Sequence, residues 1–95
     1  ILATIMNTIY DLKPEIIKEY ARNNYSIPNA EKIYISNDNR KIRNPKQIDN
    51  TGIYYETNLS ANRIISFIRN LLDELEIDID DFSFSLEENL FLIEE

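Results

Sequence analysis

Two neighbouring stretches near the start of the chain carry apolar residues at the spacing of a helix face. In residues 12–22 this face consists of Leu12, Ile16, Ile17, Tyr20 and Ala21. Residues 1–10 repeat the spacing, but one continuous helix would hold Pro14 in its interior at a cost of about 3 kcal/mol. We therefore predict two helices with a break near Asp11, which would cap the second helix and leave Pro14 in its first turn.

A second main helix is predicted after Ser60, which is a candidate N-cap residue. The apolar face that follows for about four turns consists of Ala61, Ile64, Ile65, Ile68, Leu71, Leu72 and Leu75. The C-terminal end of this helix is acidic, and negative side chains there oppose the helix dipole at about 0.3–1 kcal/mol each. This unfavourable placement indicates that the acidic residues are kept for another reason.

Short strands are predicted between the two helical regions, because apolar and polar residues alternate there. The first strand, residues 32–36, would direct Ile33 and Ile35 towards the core and Tyr34 outward. Residues 37–39 have the composition of a turn, since Asn and Asp tolerate the left-handed backbone conformation.

Two further strands are predicted on either side of a second turn. Residues 40–43 would form a short return strand that buries only Ile42 and ends at residues 44–45. Residues 50–52 have turn composition, and residues 53–57 would form the next strand.

The C-terminal tail allows two interpretations. Residues 82–86 alternate as a strand does, and residues 90–93 could return beside them to complete a hairpin. Residues 85–88 also match a capping box, which would instead begin a short C-terminal helix. We favour the hairpin and keep the helix as the alternative.

The predicted order of elements is α-β-β-β-α-β-β, with the first helical region counted once. An α+β fold, a two-layer sandwich of two main helices on a mainly antiparallel sheet, packs these elements economically. The 95 residues fit a single domain. Because the first methionine is Met6, we expect either that residues 1–5 are a cloning remnant or that the whole chain is an excised domain.

The composition removes most catalytic chemistry. The chain has no His, no Cys and a single Gly. It therefore lacks an imidazole base, a thiolate nucleophile, Cys or His metal ligands and a Gly-rich phosphate loop. We expect a non-enzymatic protein that carries neither a cofactor nor a metal.

Negative charge is concentrated in the second half of the chain. The formal net charge is −7, and residues 1–48 hold 8 basic and 5 acidic side chains whereas residues 49–95 hold 2 and 12. An acidic surface steers association with a basic partner, although solubility alone also favours such a surface. The candidate partner-binding residues are Asp73, Glu74, Glu76, Asp78, Asp80 and Asp81, with Tyr54 as an interface aromatic.

A basic cluster provides the alternative site, and its members are Arg40, Lys41, Arg43 and Lys46. Cations with tyrosines nearby can hold the phosphates of nucleic acid. Charge on an edge strand also protects against aggregation, and a net charge of −7 repels a polyanion at long range. Nucleic acid is therefore the less favoured partner.

These features together predict a protein–protein interaction domain: a small acidic binder or inhibitor, or an assembly module of a larger protein, with a basic protein surface as its partner. The chain contains 17 Ile and no Val, which indicates an A/T-rich genome such as that of a phage, a virus or a low-GC bacterium. No stretch approaches the ~20 apolar residues of a membrane span, and the start lacks the pattern of a signal peptide. We expect an intracellular protein, in the cytoplasm of its own cell or of a host, with no membrane partner.

Overall fold

The computed structural model describes residues 2–78, and these residues form an α+β fold. The helices of this part of the chain are α1 (Leu2–Leu12), α2 (Pro14–Arg22) and α3 (Ala61–Glu74). Its strands are β1 (Ile35–Ser36), β2 (Pro45–Ile48) and β3 (Ile53–Glu56). The predicted α+β class is confirmed, and both interpretations of residues 82–95 lie outside the described residues.

The chain divides into two compact units, one of them Leu2–Asn58 and the other beginning at Leu59. Helices α1 and α2 and the sheet belong to the first unit, and α3 belongs to the second. Within the first unit, α1 packs against β2 while α2 packs against β1 and β3, so the two helices cover the sheet. A single domain over the whole chain stays a prediction.

Helices α1 and α2 are separate, as predicted, but the break lies at Lys13 and not at Asp11. The Lys13 N–H donates to the Ile9 carbonyl at 3.0 Å, and this hydrogen bond continues the helical pattern of α1 beyond Asp11. Asp11 therefore lies within α1 and does not cap α2. Lys13 then leaves the helical conformation, with φ −137° and ψ 59°, and precedes α2 without a side-chain cap. Pro14 occupies the first turn of α2, where its missing N–H leaves no helical bond unmade.

The apolar stripe predicted along residues 12–22 is only partly buried. Ile17 and Ala21 are buried, but Leu12 and Ile16 are 49% and 39% exposed. The non-helical backbone of Lys13 takes Leu12 off the apolar face of α2. Within α2, Ile16 lies about 100° around the helix from Ile17, and the buried side is that of Ile17 and Ala21.

Helix α2 ends at Arg22, and Asn23 is its C-cap residue. Asn24 adopts the left-handed conformation, with φ 55°. The Tyr25 N–H donates to the Tyr20 carbonyl at 3.1 Å and the Asn24 N–H to the Ala21 carbonyl at 3.4 Å, which are the two hydrogen bonds of a Schellman ending. The rings of Tyr20 and Tyr25 stack with centroids 4.6 Å apart, which adds the apolar contact typical of this ending.

The three strands form an antiparallel sheet in the order β1–β3–β2. Tyr55 of the central strand lies opposite Ile35 of β1 and Lys46 of β2. The connection between β2 and β3 contains Asn50 and Gly52 with positive φ values of 60° and 74°, which confirms the predicted turn.

Strand β1 is shorter than the predicted segment 32–36, and the predicted orientation of Tyr34 is wrong. Tyr34 is fully buried, whereas Ile33, predicted to face the core, is half-buried. The Tyr34 carbonyl accepts the Glu56 N–H at 2.9 Å, which places Tyr34 beside β3 on the sheet face opposite Ile35. Both faces of the sheet are buried at Tyr34 and Ile35, whereas an alternating pattern predicts one buried and one exposed face.

The predicted strand at residues 40–43 is also wrong, because this region contains a 3-10 helix, Asn39–Lys41. The Asp38 carboxylate accepts the Arg40 N–H at 3.0 Å and so caps a helical turn. Ile42 is buried, as predicted.

Pro45 begins strand β2, although residues 44–45 were expected to end a strand. β2 lies at the edge of the sheet, where proline is tolerated because its missing N–H is not needed by the ladder. The Asn44 carbonyl accepts the Thr57 N–H at 3.0 Å, so pairing continues to the residue before Pro45.

Helix α3 confirms the strongest prediction from the sequence. The Ser60 hydroxyl accepts the Arg63 N–H at 3.3 Å as an N-cap, and most of the predicted apolar face is buried. Phe67 is fully buried although it lies outside that predicted face. It follows Ile64 by three residues and precedes Leu71 by four, so it widens the apolar stripe.

Candidate functional site

The C-terminal end of α3 carries four carboxylates within six residues: Asp73, Glu74, Glu76 and Asp78. All four residues are exposed, and the last turn of the helix holds no basic residue. Because the C-terminal end of a helix dipole is negative, these carboxylates are unfavourably placed. They are referred to below as the acidic end of α3; Asp80 and Asp81 lie outside the described residues.

The helix closes at the acidic end through Glu76 in the left-handed conformation, with φ 56°. The Glu76 N–H donates to the Asp73 carbonyl at 3.2 Å, and the Ile77 N–H donates to the Leu72 carbonyl at 2.9 Å. Leu72 and Ile77 are both buried, as in a Schellman ending. Glycine is the usual residue at this position, since the left-handed conformation costs other residues about 1–2 kcal/mol. Glutamate thus occupies a position whose backbone favours another residue.

The carboxylates of Asp73 and Glu76 take part in none of the ion pairs that the described residues form. Arg69 precedes Asp73 by four residues, the spacing at which side chains on one helix can meet, yet it also forms no ion pair there. The two carboxylates therefore present negative charge that the described part of the chain does not neutralise. A contact with a basic surface needs such charge.

Tyr54, the aromatic residue predicted to join this surface, lies on β3 in the unit Leu2–Asn58. It is half-buried and lies opposite Ser36 of β1 and Gln47 of β2. Its participation in partner binding stays a prediction.

The predicted basic residues lie on and after the 3-10 helix, and all are exposed: Arg40, Lys41, Arg43 and Lys46. Arg40 is held by Asp38, since its Nε donates to Oδ1 at 3.1 Å and a terminal nitrogen donates to Oδ2 at 3.2 Å. These side-chain hydrogen bonds lower the pKa of Asp38 and raise the pKa of Arg40.

The other three cations behave differently from Arg40. Lys41, Arg43 and Lys46 take part in none of the ion pairs among residues 2–78. The structure therefore separates Arg40, whose charge is matched locally, from three residues whose charge is not. These three are referred to below as the basic segment.

Glu56 is a charged residue that sequence reasoning missed. Its side chain is fully buried at the end of β3. Oε2 accepts the Asn58 N–H at 2.8 Å, while Oε1 has no hydrogen-bond partner. Charged residues are almost never fully buried unless they are paired, so the residue type does not predict that Glu56 is buried. The sequence indicates this burial only through the position of Glu56 in the predicted strand 53–57.

No protein-family model, curated protein or solved structure matches this chain. Among residues 2–78, no three His, Cys, Asp or Glu side chains are grouped so that they could hold a metal ion. Over the same residues, no helix combines the length and the apolar character that crossing a membrane requires. The features from which a function can be inferred are the chain's own charged surfaces.

Proposed function

We propose that this chain is a non-enzymatic protein-interaction module that binds a basic protein surface through the acidic end of α3. The observation that carries this proposal is the closure of α3 by Glu76 in the left-handed conformation, next to exposed carboxylates at the negative end of the helix. Each of these placements lowers the stability of the unbound protein. A bound cationic surface would compensate the electrostatic part of that loss.

The contact is expected to be steered by charge. Positive groups on the partner are attracted to the acidic end before the surfaces touch, which raises the association rate and makes it fall with added salt. The buried side chains of Leu72 and Ile77 and the hydrogen bond between their backbones fix the end of the helix. Carboxylates on a fixed backbone lose less conformational entropy on binding. A small acidic binder, an inhibitor and an assembly module would all use a contact of this kind.

The proposal can be tested with two charge-matched variants of the full chain. One neutralises the acidic end through Asp73→Asn, Glu74→Gln, Glu76→Gln and Asp78→Asn. The control neutralises four exposed acidic residues of the other unit through Asp11→Asn, Glu15→Gln, Glu31→Gln and Asp49→Asn. Each removes four negative charges and brings the formal net charge from −7 to −3.

The measurement is quantitative mass spectrometry of proteins captured from an extract of the source cells by the immobilised parent chain and by each variant. We expect a basic protein whose capture falls at least about tenfold with the acidic-end variant, equivalent to about 1.4 kcal/mol, and falls with added salt. The control variant should retain that protein. The proposal would be contradicted if both variants reduced the capture of this protein equally, or if neither variant reduced it.

A further inference from the structure

The exposed face of α3 carries positive charge towards the start of the helix as well as negative charge at its end. Arg63 lies in the first turn, and Arg69 precedes Asp73 by about one turn. Both arginines are exposed and take part in none of the ion pairs among residues 2–78. Because the N-terminal end of a helix dipole is positive, Arg63 is unfavourably placed, and no acidic residue in the first turn offsets it. The side-chain charges of α3 therefore oppose its dipole at both ends.

Charges of both signs lie on the same side of α3. At about 100° per residue, Asp73 lies about 40° around the helix from Arg69 and about 80° from Arg63, between the two arginines. Ser66, which is small and exposed, falls within the same sector. Leu71 lies on the opposite side and is fully buried. A protein surface that covers the exposed face of α3 therefore meets both arginines as well as the acidic end.

The positive and negative groups are far enough apart to be recognised separately. At a rise of about 1.5 Å per residue, Arg63 and Asp73 are about 15 Å apart along the helix axis. At about 0.15 M salt, exposed charges more than about 8 Å apart are largely screened from each other. Arg69 is only about 6 Å from Asp73 along the axis, yet the two side chains form no ion pair. The described residues therefore leave both signs of charge available to a partner.

We infer that the protein surface bound by α3 is bipolar, with basic groups on the acidic end and carboxylates on Arg63 and Arg69. This inference rests on the proposed function and specifies the chemistry of the partner. A uniformly basic surface would be attracted by the acidic end but repelled by the two arginines, and like charges brought together at a contact oppose binding. The arginines thus select a partner whose carboxylates lie about 6–15 Å from its basic groups, measured along the axis of α3.

The sign of one effect tests this inference. In the capture measurement described above, the full-length variant Arg63→Gln/Arg69→Gln is compared with the parent chain for the protein that the acidic-end variant loses. The substitution changes the formal net charge from −7 to −9, so a uniformly basic protein would be captured more strongly. A bipolar protein should instead be captured about fivefold less. The control Lys41→Gln/Arg43→Gln has the same net charge, removes two exposed cations of the other unit, and should stay within about twofold of the parent chain.

Cross-linking identifies the groups in contact. Arg63→Lys/Arg69→Lys keeps both charges and should retain capture, and it places amines that a carbodiimide can join to carboxylates. Mass spectrometry should find position 63 or 69 joined to an Asp or Glu of the captured protein, and Asp73 or Glu76 joined to one of its lysines. Circular dichroism matched to that of the parent chain ensures that every variant is folded.

The outcomes separate this inference from the proposed function. If the acidic-end variant loses no protein, both are overturned. If it loses a protein that Arg63→Gln/Arg69→Gln captures as well as or better than the parent chain, only the bipolar partner is overturned. An equal loss in the arginine variant and the control Lys41→Gln/Arg43→Gln, or cross-links that join only two copies of this chain, would overturn it as well.

Discussion

Two residues with positive φ occupy the same position at the ends of two helices. Asn24 after α2 and Glu76 after α3 each provide the left-handed residue of a Schellman ending, with φ 55° and 56°. Asparagine tolerates this conformation, and the Asn24 side chain also accepts the Ser36 hydroxyl at 2.7 Å. Glutamate brings neither advantage and adds a negative charge to the negative end of α3. Glu76 is therefore the less favourable of the two residues.

Glu76→Gly is expected to raise the free energy of unfolding by about 1 kcal/mol in urea denaturation, because glycine adopts the left-handed conformation without strain. Glu74→Gly is the matched control: it removes the same charge, but glycine in the helical conformation costs about as much as that charge does, so the free energy of unfolding should stay within about 0.5 kcal/mol of the parent chain. A loss of stability in Glu76→Gly would show that the glutamate side chain makes a stabilising contact.

Glu56 is a second residue placed at the expense of stability, because its buried carboxylate leaves Oε1 without a hydrogen bond. Glu56→Gln removes the charge and keeps an oxygen that can accept the Asn58 N–H, so we expect a gain of about 1 kcal/mol in the free energy of unfolding. The exposed control Glu31→Gln should change it by less than about 0.5 kcal/mol. A lower stability of Glu56→Gln than of the parent chain would contradict this interpretation.

The ion pair between Asp38 and Arg40 predicts a pH dependence of defined sign. Hydrogen bonds from Arg40 lower the pKa of Asp38 below its ordinary value of 3.8, so the folded state binds this proton more weakly than the unfolded state does. The stabilisation is therefore present above the ordinary pKa and is lost as the pH falls through the lowered pKa. An NMR titration should place the Asp38 midpoint below 3.8, and Arg40→Gln should return it towards 3.8. A midpoint at or above 3.8 in the parent chain would exclude the ion pair in solution.

At the scale of elements, a helix with local signals could be predicted and a strand with distant partners could not. The Ser60 cap and the apolar period of α3 lie within the segment that they define. The burial of Tyr34, by contrast, follows from its pairing with Glu56, 22 residues further along the chain. The 3-10 helix Asn39–Lys41 was missed for a local reason, because one cap from Asp38 outweighs a weak alternation.

The charged candidate surfaces could also be predicted only in part from the sequence. Their charged residues can be identified from the sequence, since charge is a property of residue type. Whether a charge is matched depends on the fold: Arg40 is neutralised by Asp38, whereas Lys41 beside it takes part in none of the ion pairs of residues 2–78. The burial of Glu56 is likewise a consequence of strand pairing and not of composition.

Two neighbouring isoleucines of α2 that the sequence assigns to one face differ in burial. Ile17 is fully buried, whereas Ile16 is 39% exposed. Ile17→Ala is therefore expected to lower the free energy of unfolding by about 2–5 kcal/mol, and Ile16→Ala by less than about 1 kcal/mol. Chemical denaturation of the two variants measures both values. Similar losses would mean that the two residues are equally buried in solution.

At the scale of the whole molecule, the uneven charge follows the division into two compact units. The unit Leu2–Asn58 has a balance of +1, from 8 basic and 7 acidic residues, and residues 59–95 have a balance of −8, from 2 and 10. The same asymmetry is found in the sequence when charges are counted in residues 1–48 and 49–95. The structure places the boundary between the two units at residues 58–59, and the charges are divided there in the same sense. Each unit thus presents its own charged surface, the basic segment in one and the acidic end of α3 in the other.

Our proposal requires that the acidic end of α3 be kept at the expense of stability, and urea unfolding of two double variants tests this most directly. Asp73→Asn/Glu76→Gln removes the two acidic-end carboxylates that form none of the ion pairs of the described residues. Glu31→Gln/Asp49→Asn removes two exposed carboxylates outside the helices and has the same net charge. We expect the first variant to exceed the parent chain by about 1–2 kcal/mol in free energy of unfolding, and the second to stay within about 0.5 kcal/mol of it. A first variant no more stable than the second would contradict the proposal.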